Sequence, residues 1–267
     1  MSELKGRTAL VTGSLRGIGF GVAEALARAG ARIALHGLEE EAGVEEARAA
    51  MEEAGSPEVR FFGANLSEPA RIEALMADVE AWGGADILVN NAGIQHTSSL
   101  AEMPPATWDA VIAVNLSAAF HTMRLALPAM AARGYGRVVN IASVHGLVAS
   151  VNKAPYVAAK HGLVGLSKVA ALEYAARGER AKGGVTINCI APGWTETQLI
   201  ASQIDDAAQA AGGDRDAGIA ALLAAKQPSQ RMSTPAEIGA LARWLCAPIA
   251  HNVTGATIPV DGGWTAQ

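Results

Sequence analysis

Tyr156 and Lys160 stand four residues apart in the stretch PYVAAKHGLVGL, which Pro155 opens. Proline suits the first turn of a helix, where its missing N–H costs nothing. The spacing then puts a phenol and an ammonium on one helix face. A phenol with a pKa of about 10 is a poor base at neutral pH. A nearby ammonium and the positive ring of an oxidised nicotinamide both favour the phenolate, giving a usable general acid/base. Such pairs occur often by chance, so the weight comes from the company. Ser143 ends the apolar run NIAS, where its hydroxyl can hold a substrate oxygen; Asn90-Asn91-Ala92-Gly93 closes a second run and Pro192-Gly193 a third. Asn115 lies in an apolar helical stretch, VIAVNLSAAF, where it could equally satisfy its own helix. The chemistry within reach is proton exchange with a small alcohol or carbonyl compound, coupled to hydride transfer.

A glycine turn accompanies these groups. Thr12-Gly13-Ser14-Leu15-Arg16-Gly17-Ile18-Gly19 follows the first strand-like run and opens a helix. Glycines there let the backbone approach a pyrophosphate that the helix N-terminus faces. The spacing is G-x-x-x-G-x-G rather than the commoner G-x-G-x-x-G. The end of the second strand, where an acid usually holds the ribose hydroxyls, reads Leu35-His36-Gly37-Leu38, with no acid before Glu39. Arg16 is placed to meet a 2′-phosphate, favouring NADP, or to be a solvent-facing turn residue. The local residues leave NAD and NADP both open.

The elements that must position these groups alternate. Strands are expected at Arg7–Val11, Ala31–His36, Val59–Ala64, Asp86–Asn90, Arg137–Ala142, Val185–Ala191 and Thr257–Val260. Helices are expected at Gly17–Ala29, Glu39–Ala54, Glu68–Trp82, Thr107–Arg133, Pro155–Arg177 and Pro235–Cys246. This is the pattern of an α/β fold: a single Rossmann-type, doubly wound parallel sheet with helices on both faces. No linker composition divides the chain, so one domain covering residues 1–267 is expected. The acidic run Glu39–Glu41 and the glutamates after it read as a solvated helix face.

Of the 267 residues, 50% are hydrophobic but only 4% aromatic, so aliphatic side chains must fill most of the core. A net charge of −5 without a basic run disfavours nucleic acid and anionic membranes as partners. Cys189 and Cys246 sit in apolar contexts and read as buried thiols; no Cys/His cluster suggests a metal site. The N-terminus shows no signal-peptide pattern and no run reaches the roughly 18 apolar residues of a membrane span, so the expected location is cytoplasmic.

The glycine turn, NNAG, Ser143, Tyr156-x-x-x-Lys160 and Pro192-Gly193 resemble, in order and spacing over essentially the whole chain, the short-chain dehydrogenase/reductase family. The resemblance implies seven strands, a tetrad of Asn115, Ser143, Tyr156 and Lys160, and a homotetramer. Tyr156 would exchange the proton, Ser143 hold the oxygen, Lys160 bind the nicotinamide ribose and lower the Tyr156 pKa, and Asn115 position a relaying water. Cofactor contacts are implied at Gly13, Arg16, Gly17, Ile18, Gly19, Asn65, Leu66, Asn91, Ala92, Gly93, Tyr156, Lys160, Pro192, Gly193 and Thr197.

The residues around the tetrad narrow the substrate. Gln95, His96, His145 and Lys153 lie on loops that leave the same sheet edge, and an ammonium, an amide and an imidazole suit a carboxylate. Lys153 could also be solvent-facing, and His145 a hydrogen-bonded loop residue. The stretches NNAGIQHT, NIASVHGLVASVNKAPYVAAKHGLVGL, APGW, KQPS and VDGGWTAQ resemble the family's bacterial D-3-hydroxybutyrate dehydrogenase branch. That resemblance implies NAD, with Gln95, His145, Lys153 and Gln203 on the substrate carboxylate and Trp194 and Trp264 around its carbon chain. Gln203 falls in the long interruption 199–225, read as a helical lid; Asp205, Asp206 and Gly212–Asp214 could serve as its hinges or be ordinary loop residues. Arg16 and Asn65 depart from that branch, which carries a small polar residue and an Asp there. The rivals are an NADPH-dependent 3-oxoacyl reductase of the same family and a non-catalytic dinucleotide-binding sensor.

Overall fold

In the computed structural model, residues 3–38 and 43–266 are described. The expected acidic run Glu39–Glu41 and the start of its helix lie outside them. Seven strands, β1 (Thr8–Val11), β2 (Arg32–Gly37), β3 (Val59–Gly63), β4 (Ile87–Asn90), β5 (Tyr135–Ile141), β6 (Gly184–Pro192) and β7 (Thr257–Val260), form one sheet in the order β3-β2-β1-β4-β5-β6-β7. All pairs are parallel. The order reverses between β1 and β4, so the carboxyl ends of these two strands flank the crevice in which such sheets bind ligands.

Helices cover both faces. On one side lie α1 (Gly17–Arg28), α2 (Val44–Glu53) and α9 (Pro235–Cys246), with Leu26, Met51 and Ile238 packed on alternate residues of the strands, such as Val11 and Ile33. On the other lie α3 (Pro69–Ala81), α5 (Ala118–Arg133) and α6 (Ala154–Tyr174), packed on Leu10, Leu88 and Val138, with α4 (Pro105–Ile112) against α6. Strands apolar on both faces are what a doubly covered parallel sheet requires. Both cysteines are buried.

Two helices, α7 (Ala201–Ala210) and α8 (Arg215–Lys226), stand apart from this plan. They join a small separate cluster of Val144, Trp194, Ile200, Ile204, Leu223 and Trp264. The turn between them ends on Asp214, whose carboxylate accepts from Asp216 N and Ala217 N at 3.0 and 3.1 Å and caps α8. Asp205 and Asp206 lie inside α7 and are no hinge.

The run 105–133 is long and apolar enough, by length and composition, to cross a membrane, contrary to the sequence expectation. Here it packs against the sheet through Met123, Ala126, Leu127 and Met130. It is not one uniform helix: Ala113–Ser117 is a π-helical turn between α4 and α5.

Candidate active site

The glycine turn closes over the sheet edge through side chains from neighbouring strands. Thr12 Oγ1 accepts from Asn91 N and Ala92 N at 2.9 and 3.0 Å. Asn91 Nδ2 donates to the carbonyls of Thr12 and Gly13 at 2.9 and 3.0 Å. This explains Gly19: a Cβ there would lie 2.1 Å from Gly13 O and 2.4 Å from Asn91 Nδ2. Helix α1 starts after Arg16 with no side-chain cap and no acid in its first turn, leaving its amides for an anion.

His36 fills the place where the sequence reading sought an acid. Its Nδ1 accepts from Gly13 N at 3.1 Å, and its own N–H donates to Ser14 Oγ at 2.9 Å. Burial lowers its pKa to about 4, so the ring is neutral and Nδ1 is an acceptor. Its position at a strand end was visible in the sequence, but its partner in the glycine turn was not.

A cavity of about 920 Å³ runs along this edge, from Leu38 and Asn65 past the glycine turn to Tyr156, Lys153 and Trp264. That is the upper range of small-molecule sites and suits a dinucleotide with a small substrate. Every predicted site residue lines it except Gly19, which packs beneath the turn, Asn115 and Gln203. His96 is exposed and does not line it. Asn65 Oδ1 accepts from Ser67 N and Oγ at 3.1 and 2.9 Å, while Nδ2 donates to Glu68 Oε1 at 2.7 Å.

Asn115 does not satisfy its own helix. In the π-turn its Oδ1 accepts from Ile94 N and its Nδ2 donates to Ile94 O, both at 2.9 Å. A second cavity of about 10 Å³, lined by Asn115, Lys160, Asn90 and Thr12, lies behind the main one. Its size is the order of one water.

Tyr156 is buried beside Ser143. Burial raises the phenol pKa more than the Ser143 hydrogen bond lowers it. The depression expected from Lys160 is therefore absent in this arrangement. Lys160 Nζ donates to Ile141 O at 2.7 Å and lies 5.6 Å from the Tyr156 ring centroid, and burial brings its own pKa down to about 8. Ser143 Oγ accepts from His145 N at 3.2 Å and pairs with His145 Nδ1 at 3.3 Å.

Lys153 is buried rather than solvent-facing, and its Nζ donates to Gln203 Oε1 at 2.7 Å. Burial, then the charge of Lys226, lowers its pKa to about 8. Gln203 thus reaches the site through Lys153, and its Nε2 is buried without a partner among the described residues. His145 pairs with Ser150 Oγ at 2.9 Å, and burial with the nearby Lys153 takes it to about 4. It is a neutral imidazole, so the positive charge here comes from lysine. Trp194 and Trp264 wall the same end, with centroids 6.0 Å apart, and His145 packs edge-on to Trp264 at 5.6 Å. Sequence reasoning missed Gln227, whose Oε1 accepts from Trp194 N at 3.1 Å, and Asp261, which holds the Trp264 turn through Gly263 and Thr265.

The family model described as enoyl-(acyl carrier protein) reductase, of the short-chain alcohol dehydrogenase type, matches residues 13–265. A D-beta-hydroxybutyrate dehydrogenase from Cupriavidus necator is 49% identical over 266 residues, 99% of this chain and 100% of the relative. One from Rhizobium meliloti is 43% identical, covering 98% of this chain and 99% of the relative. Among solved structures, L-sorbose reductase from Gluconobacter frateurii, complexed with NADPH and L-sorbose, superimposes with a TM-score of 0.91 at 28% identity. That match covers 100% of this chain and 99% of the other.

Proposed function

The chain belongs to the short-chain dehydrogenase/reductase family, and from that premise we propose that it catalyses the reversible, NAD-dependent oxidation of D-3-hydroxybutyrate to acetoacetate. The observation that carries this reading is the buried Lys153–Gln203 pair beside Trp194, at the Tyr156 end of the cavity. A buried ammonium is costly unless something anionic meets it, and a short hydroxy acid brings its carboxylate there. Gln95 and the neutral His145 add donors, and the two indoles enclose the short carbon chain. The pair α7–α8 is read as the lid, with Gln203 as its contact to substrate.

The residues of the tetrad divide the proton chemistry. Tyr156 Oη takes the proton of the substrate hydroxyl on oxidation and returns it on reduction, while Ser143 Oγ holds the same oxygen. When bound, the nicotinamide supplies the hydride acceptor or donor at the substrate's third carbon. Lys160 offers its ammonium to the ribose, and Asn115, fixed by Ile94, faces the one-water cavity that leads to Lys160. The glycine turn, Ile18, Asn65, Leu66, Asn91–Gly93, Pro192, Gly193 and Thr197 form the cradle for the dinucleotide.

NAD is the preferred cofactor because His36, Gly37 and Leu38 wall the cavity at the end of β2 without a cation. Arg16 supports NADP as the second reading, since it lines the cavity at the glycine turn. A homotetramer fits the apolar residues Trp108, Phe120, Val169 and Leu172, exposed along α4, α5 and α6. The test is turnover of short 3-hydroxy acids of both hands with NAD and with NADP. We expect D-3-hydroxybutyrate with NAD to be preferred, and Lys153→Ala to raise KM for the acid far more than for its methyl ester. Activity confined to NADP and an acyl thioester would overturn the reading.

A further inference from the structure

The anion end of the cavity holds more positive charge than one lysine accounts for. Lys226 ends α8, and its Nζ lies over Trp264, 5.5 Å from the ring centroid. Lys153 Nζ lies 5.5 Å from the Trp194 centroid, and the two indoles are 6.0 Å apart. The contacts therefore run Lys153, Trp194, Trp264, Lys226. Among the described residues no carboxylate forms a salt bridge with Lys226. Its position is set by the next residue: Gln227 is buried, takes the Trp194 N–H at 3.1 Å and donates to Arg231 O.

A cation in the last turn of a helix has an ordinary role, complementing the helix dipole. That role alone does not call for an ammonium laid on the indole that walls a substrate cavity. Nor does it require that the charge reach into the site. Lys226 acts on Lys153 second only to burial, and on His145 after burial and Lys153.

We propose that Lys226 is a specificity-determining residue of the anion subsite: held against Trp264, its ammonium supplies a second positive charge that favours carboxylate-bearing substrates over neutral ones. This rests on the reading that Lys153 holds the substrate carboxylate. The Lys226 ammonium lies against Trp264 and acts on Lys153 and His145, so it adds charge to the subsite while the two indoles keep the wall apolar.

The test uses the full chain with D-3-hydroxybutyrate and its methyl ester as the neutral counterpart. Lys226→Gln should lower the ratio of kcat/KM for the acid to that for the ester by about fivefold, the scale of one charge several ångströms away in a partly buried setting. Lys226→Arg should restore it. The same Gln variant should move the alkaline limb of the acid's kcat/KM profile to higher pH, because Lys153 loses a like charge. The other groups that face Lys153, His145 and Gln203 near its ammonium and Tyr156 and Lys160 beyond, are unaltered. An unchanged ratio, or equal losses on acid and ester with no movement of the limb, overturns the proposal. Lys153→Ala run in parallel separates the two readings. If it too leaves the ratio unchanged, the carboxylate reading fails; if it collapses the ratio while Lys226→Gln does not, only the role of Lys226 falls.

Discussion

Lys160 and Lys153 lie seven residues apart, both buried and both brought down to about 8 chiefly by burial, yet they are held by different kinds of partner. Lys160 donates to a main-chain carbonyl at the carboxyl end of β5, so the sheet itself fixes it. Lys153 donates to a side-chain amide on α7, among indoles of the small separate cluster that α7 and α8 join. The half of the site proposed to handle the proton is thus anchored on backbone at a strand end. The half proposed to hold the anion is assembled from side chains of elements added beyond the sheet. Reaction type and substrate choice are separable for that reason, which is how one fold serves many substrates.

The sharpest way to break this separation is to remove the proposed proton carrier. Tyr156→Phe keeps the ring and its packing but loses the hydroxyl, and should lower kcat by about 10³-fold, within the range of general acid–base catalysis. KM for the acid should stay within about threefold, since Lys153 and its partners are untouched. Steady-state kinetics of the acid, with cofactor binding followed by fluorescence, measures both. A KM that rose in step with the fall in kcat would mean that the phenol also binds the substrate, and the two halves would not be independent.

The shared value of the two lysines offers a second test, in the direction of reduction. There Tyr156, raised by burial, stays protonated across the range of interest. Each ammonium is charged below about 8 and neutral above it. Under the proposed function Lys160 serves any substrate, whereas Lys153 serves only an anion. At saturating cofactor, log kcat/KM for methyl acetoacetate should therefore fall with a slope of about −1 above that pH, and for acetoacetate with a slope near −2. Equal slopes would show that Lys153 does not hold a carboxylate.

The difference between the halves also explains what could be read from the residues in order. The glycine turn, Ser143, NNAG and Tyr156-x-x-x-Lys160 each sit at a strand end or on a helix face, and a parallel sheet brings strand ends to one edge. Their convergence follows from local pattern and topology. The Lys153–Gln203 bond joins residues 50 apart across a helix pair whose packing no periodicity encodes. His36 was legible as a residue at a strand end but not as the acceptor for Gly13. Asn115 in an apolar run looks like any helical asparagine, because a π-turn leaves no mark on the hydrophobic pattern. Asp205 and Asp206 misled for the opposite reason: polar residues resemble a loop, yet they are the exposed face of α7. Gln227 and Asp261 act on the walls from outside the cavity, and nothing in their type announces that.

Asp261 gives the mildest test, because it touches only the wall. Burial alone would raise its pKa, but the bonds from Thr265 and Gly263 outweigh that and hold the carboxyl below its usual range. Oδ1 accepts from Gly263 N at 3.0 Å; Oδ2 accepts from Thr265 N and Oγ1 at 2.8 and 2.6 Å. These bonds flank Trp264 on both sides and set the indole against Trp194 and His145. Asp261→Ala should leave the sheet-anchored half intact and let the indole wander, raising KM for the acid by about threefold, the factor that roughly 0.7 kcal/mol of lost ordering gives. Asp261→Asn, which keeps acceptor capacity on one oxygen, should fall between the variant and the parent. The cofactor dissociation constant should be unmoved in both. A loss of cofactor affinity as large as the rise in KM would place Asp261 in the common frame of the site, and the division between a sheet-built catalytic half and a side-chain-built recognition half would have to be redrawn around it.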